Sequence, residues 1–178
     1  MEAALERARS LAPDDRVAVG LAEYLERHIP EELHGDEPGG GTLDDLEAIG
    51  IGVAAVRRRR PSRKIAALVG AQYFWIRHVH PVAILGYLQL EAFHPERATV
   101  EQLIATTGFP REGFGQLLLH ADVDVEHAEE LRRVLDSLPL EPDQEELIGV
   151  SALQTIAFLV EAMLEVVDDG AASVVPRG

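Results

Sequence analysis

From Asp143 to Val167 the chain keeps a helical hydrophobic period without interruption. Leu147, Ile148, Leu153, Ile156, Leu159, Val160, Met163 and Leu164 spread over a broad apolar face. A helix with this much apolar surface must be laid against other elements, and little in the sequence suggests that those elements are strands. β-Branched residues stand singly among Ala, Leu and Glu instead of alternating with polar residues over several positions. The expectation is an all-α bundle. The 178 residues suit one domain, expected over 1–169, with 170–178 as a disordered tail.

Other helices are legible from the same period and from their punctuation. One is expected from Arg16 to Leu33, with Asp14 or Asp15 as its N-cap and Pro30 as an interruption. The stretch Gly35–Thr42, with Pro38 and three consecutive glycines, cannot be regular, and a shorter helix is expected over Leu43–Val56. A largely buried pair follows, Pro61–His80 and Val82–Phe93, separated at Pro81. A helix near Thr99–Thr106 stops at Gly108, and Arg111–Leu119 leads into a segment rich in His and Asp. The segment Met1–Arg9 alternates charged and small residues and resembles neither a signal peptide nor a membrane-length apolar run, so a cytoplasmic location is expected.

Composition narrows the chemistry. There is no cysteine, which excludes disulfides, thiolate metal sites, iron–sulfur clusters and cysteine nucleophiles, so any metal must be held by His, Asp and Glu. Sixteen basic against thirty-one acidic residues, a formal charge of −15, would repel a phosphate backbone and argue against nucleic acid as the partner. Six of the basic residues gather in Arg57–Arg60, Arg63 and Lys64. They read as a solvated turn that balances nearby acids, with docking of an acidic partner or a carrier-bound substrate as the alternative.

Three segments carry donors. In Leu117–Leu131, at 100° per residue, His120, Asp124 and His127 fall within about 60° of one another and form one stripe, while Asp122 and Glu126 point elsewhere. Two imidazoles and a carboxylate on one face suit iron, manganese or zinc. Glu31 and His34 have the (i, i+3) Glu-x-x-His spacing used by carboxylate-bridged dimetal bundles. Glu91 stands among apolar neighbours in Leu85–Glu91, where a carboxylate needs a partner; Arg77 is an alternative one. Three carboxylates and three histidines make a sensible ligand count for two metal ions that keep open positions. Because Pro30 precedes Glu31 and Gly35 follows His34, His28 and Glu32 are alternative donors, and His94 forms a second Glu-x-x-His with Glu91.

The order Glu-x-x-His, Gly-Tyr-x-x-x-Glu and His-x-x-x-Asp-x-x-His resembles the haem-oxygenase-like diiron oxidases, from Tyr24 to about Leu164. The resemblance implies a haem-oxygenase-like bundle of about seven helices without haem. It also implies a site for two iron ions, ferrous or mixed with manganese, held by Glu31, His34, Glu91, His120, Asp124 and His127. It further implies a non-haem oxidoreductase that uses dioxygen on an amino-acid-like or fatty-acid-like small molecule. Members cleave C–C bonds, desaturate or oxygenate nitrogen, and the resemblance does not select among these. Tyr73, Trp75, Tyr87, Phe114 and Gln154 are expected near a substrate pocket. Two other classes compete: a metal-independent quinone-synthase-like oxidase of the same fold, and a non-catalytic helical iron-binding or interaction protein. The expected partners are substrate and dioxygen, with no nucleic acid and no membrane; a homodimer is compatible with the sequence.

Overall fold

The computed structural model describes residues 1–33, 41–90 and 95–174, the side chains of 33, 123–126 and 167–174 excepted. Among the described residues there are nine α-helices, two short 3-10 turns and no strand, so the expected all-α bundle is what the chain forms. The helices are α1 (Glu2–Leu11), α2 (Arg16–Leu33), α3 (Thr42–Ala48), α4 (Val53–Arg58), α5 (Arg63–His78), α6 (Ile84–Leu88), α7 (Arg97–Thr107), α8 (Gly115–Ser137) and α9 (Pro142–Val174). The 3-10 turns are Pro81–Ala83 and Arg111–Phe114.

Three departures from the sequence reading have local causes. The alternation of charged and small residues in Met1–Arg9 suggests no element, yet α1 forms there and packs on α2. Its fully buried residues are Ala4 and Ala8, small enough to bring two helices close, and Met1, Leu5 and Leu11 pack beside them at helical spacing. The helix expected over Leu43–Val56 is two helices, because Gly50 adopts φ 88° between them. Finally, α2 does not stop at Pro30 but runs three residues beyond it. Pro30 withholds an N–H from the Glu26 carbonyl alone, and the helix continues past that one missing bond.

Capping places the two helices that matter most below. Asp15 Oδ1 accepts from the amides of Val17 (2.8 Å) and Ala18 (3.0 Å), so Asp15 is the N-cap of α2. Its Oδ2 lies 2.9 Å from His80 Nε2, and His80 Nδ1 accepts the Val82 amide, so Nε2 carries the proton. The start of α2 is thereby tied to the turn after α5. The N-terminus of α8 is capped from another element. Asp45 of α3, itself buried, accepts the Gln116 amide at 2.8 Å.

The core gathers α1, α2, α6, the end of α8 and the start of α9 through Leu21, Leu25, Leu85, Leu88, Leu131 and Ile148. Gly86 is what lets α6 reach α9: a Cβ there would lie 2.4 Å from the Ile148 carbonyl oxygen. Helices α5 and α9 pack against each other in opposite directions, as the pairings Lys64–Glu161, Gln72–Thr155 and Trp75–Gln154 show.

Candidate metal centre

Helix α2 turns His28, Glu31 and Glu32 towards α8, which presents His127 and Glu130. On a helix, positions 28 and 32 are one turn apart and share a face, and 127 and 130 do likewise. The continuation of α2 through Pro30 is therefore what keeps Glu32 in line with His28.

His28 is fully buried. Its ring stacks on Tyr24, one turn earlier, with centroids 5.0 Å apart, and meets His127 edge-on at 5.2 Å. Glu32 Oε1 lies 3.8 Å from His28 Nε2 and 3.4 Å from His127 Nδ1. The other nitrogen of His127 is 4.0 Å from Glu31 Oε2. Glu130 is held at 3.5 Å by Arg27, a residue of α2 that points past the cluster.

Two groups of donors lie with their ligand atoms within 4.8 Å of one another: His28, Glu32 and His127, and His28, Glu31 and Glu130. Donors that share one ion at about 2.1 Å sit about 3 Å apart, so the 3.4 and 3.8 Å spacings around Glu32 need only a small closure to fit. Imidazole and carboxylate are also the donor types iron accepts. Three glutamates concentrated beside a buried imidazole favour a cation there on charge grounds. The residues present fit iron.

The structure brings together two of the residues expected from sequence, Glu31 and His127. His120 is on α8 about 10 Å before His127, half-buried, and belongs to neither group of donors. Asp124 lies on α8 between them, its side chain outside the described ones. His34 and Glu91 lie outside the described residues, as does the rival His94. Asp122, expected off the stripe, pairs with Arg97 at the surface. The alternatives His28 and Glu32 both join the cluster. Glu130 was not singled out by sequence, although its (i, i+3) relation to His127 extends the stripe by one step.

A cleft of about 620 Å³ opens beside Glu32 and is also lined by Ile29, Tyr73 and Arg77. Tyr73 is shared with a smaller, mostly apolar cavity of about 230 Å³, bounded by Val69, Ile76, Ile84 and Tyr87. Of the expected pocket residues, Tyr73 and Tyr87 thus line a cavity. Trp75 lines a different cleft, with His80 and Leu147, and donates to Gln154 at 2.7 Å, while Phe114 is buried before α8.

The profile of a family described as iron-containing redox enzyme matches residues 16–159, from the first residue of α2 to the middle of α9. No curated protein and no solved structure matches the chain.

Proposed function

The chain belongs to the iron-containing redox enzyme family, and from that premise we propose that it is a non-haem oxidase or oxygenase using dioxygen. In this reading two ferrous ions are held between α2 and α8, and the substrate is a small organic molecule of amino-acid or fatty-acid type. The observation that carries the proposal is the cluster of His28, Glu31, Glu32, His127 and Glu130 in a chain of this family.

Two ferrous ions, when bound, would supply two electrons to dioxygen and oxidation of the substrate the other two, with both oxygen atoms leaving as water in an oxidase and one entering the substrate in an oxygenase; an external reductant would return the ions to the ferrous state. The protein's part is placement. Tyr24 fixes the ring of His28 by stacking, and Glu32 lies between the two imidazoles, where it would hold a metal together with them. Arg27 restrains Glu130 from the outer side. Leu21 and Leu25, fully buried on α2, keep water from the inner side of His28. A substrate would enter by the cleft at Glu32, with a polar group near Arg77 and an apolar remainder in the cavity between Tyr73 and Tyr87.

The test is anaerobic reconstitution with ferrous iron, followed by metal analysis and oxygen uptake. About two irons per chain, with oxygen consumed on admission of air, are expected for the native protein. His28→Ala and His127→Ala are expected to lose the metal. Iron retained in full by both variants would sink the site assignment. Failure of the native protein to bind iron would leave a metal-independent oxidase of the same fold as the reading.

A further inference from the structure

Helix α9 is apolar on two sides. The side packed into the bundle carries Leu147, Ile148, Ser151, Thr155 and Ala162, and its hydroxyls bond the buried Gln72 of α5. The opposite side, read at 100° per residue, carries Gly149, Leu153, Ile156, Ala157, Val160, Met163 and Leu164, all exposed and none of them charged. Leu153 is 72% exposed and Met163 61%. Over Pro142–Val166 the helix is long and apolar enough to cross a membrane, with 22% of the window buried. At about 100 Å² of exposed apolar surface per large side chain, the five largest present about 500 Å², near the upper bound for a monomer. That is also more than half of the ~800 Å² per partner that a stable complex buries.

We propose that this face is the interface of a homodimer, with α9 of a second copy packed antiparallel against it. The first argument is self-complementarity. An antiparallel pairing centred between Ile156 and Ala157 sets Gly149 opposite Leu164, Leu153 opposite Val160 and Ile156 opposite Ala157, so that two of the three pairs match a large residue to a small one. The second is charge. Exposed Glu145 precedes Met163 by 18 residues, five whole turns, and so lies on the same flank of the stripe at its other end. Beside Met163, Arg59 and Arg60 line a groove with Ile65, Leu159, Val166 and a single acid, Glu165, so the groove keeps a positive balance. A two-fold axis that reverses the helix keeps each flank on its own side and exchanges the ends. It therefore brings Glu145 of one copy to Arg59 and Arg60 of the other, whereas a parallel pairing would set like charge on like.

The same features disfavour a lipid surface as the occupant. Helices that lie on membranes carry Lys and Arg along the polar flanks. Here Glu145, Glu146, Glu161 and Glu165 flank the stripe, and the chain's −15 charge is repelled by anionic lipid. Spanning is disfavoured because the other face is committed to α5 through Gln72. Mutual repulsion of two acidic copies is screened beyond about 8 Å at physiological salt, and the stripe is uncharged from Gly149 to Leu164, with Glu145 and Glu146 at its N-terminal end.

Sedimentation of the full chain decides the matter, and needs no iron. A dimer is expected at micromolar concentration. Leu153→Glu and Val160→Glu, both at exposed positions, should weaken it by more than about tenfold with circular dichroism and melting temperature unchanged for the subunit. Glu145→Arg and the pair Arg59→Glu/Arg60→Glu should each weaken the dimer, and combining them should restore it, which only the antiparallel arrangement does. A native protein that is monomeric at 100 times that concentration overturns the proposal. So does a dimer indifferent to both stripe variants, or a monomer that instead binds vesicles of anionic phospholipid.

Discussion

The α5/α9 pair and the α2/α8 pair are both helix–helix contacts rich in polar residues, but they are made differently. Between α5 and α9, Gln72 Nε2 donates to Thr155 at 2.9 Å, Ser151 donates to Gln72 at 3.3 Å and Trp75 donates to Gln154 at 2.7 Å. These are hydrogen bonds between neutral groups, and buried neutral polar groups paired in this way lock one arrangement. Between α2 and α8 the facing groups are imidazoles and carboxylates at 3.4 to 4.0 Å, spacings longer than good hydrogen bonds. The first contact is complete within the protein. The second sets two imidazoles among three carboxylates, donor types a cation accepts.

The largest effect should come from forcing the helices around α9 apart. Gly86→Ala puts a methyl group 2.4 Å from the Ile148 carbonyl oxygen, which is backbone and cannot rotate away. A loss of about 3 kcal/mol is expected in urea denaturation. Next is the iron itself. Ferrous iron at about 100 times its dissociation constant should stabilise the native protein by about 2.7 kcal/mol. Chelation should reverse the gain, and Glu32→Gln should show no iron-dependent rise in melting temperature. A rise that persists in Glu32→Gln would place the ions elsewhere.

Gln72→Ala strands the hydroxyls of Ser151 and Thr155 and should cost about 2 kcal/mol, while leaving iron content unchanged. Loss of iron in that variant would show that the two contacts are not independent. The smallest effect is at the cap of α2. Burial pushes the Asp15 carboxyl up, but the Ala18 amide, His80 and the Val17 amide outweigh it and hold the carboxyl below its ordinary 3.8. A lowered folded value contributes stability that is present above the unfolded value and lost as pH falls through the folded one. Asp15→Ala should therefore cost about 1 kcal/mol at neutral pH. The gap between variant and native melting temperatures should narrow as the pH is taken below 3.8.

Particular residues show how far reading from sequence goes. Gly108 stops α7 with φ 71°, Asp15 caps α2, and the apolar period over Asp143–Val167 is α9, all expected because each depends on neighbours a few positions away. Helix α1 escaped notice because its buried residues are alanines. Of the stripe on α8, His127 joins the described cluster, and so does Glu130, one (i, i+3) step further along, which reading from sequence left out. On α2 the Glu-x-x-His spacing points to Glu31 and His34, and Pro30 to His28 and Glu32 as alternatives; the described cluster draws on His28, Glu31 and Glu32, while His34 lies outside the described residues.

By itself the sequence determined that the chain is helical, that any metal must be held by His, Asp and Glu, and where most helices begin and end, because these follow from local periodicity, capping and residue chemistry. Only the tertiary structure decided which donors meet. Convergence depends on how α2 and α8 are placed against each other, set by the Asp45 cap, the alanines of α1 and the close approach at Gly86. It decided equally that the apolar stripe of α9 faces outward, because which side of a two-sided apolar helix is buried is settled by its partner, here α5, whose Gln72 pairs with Ser151 and Thr155.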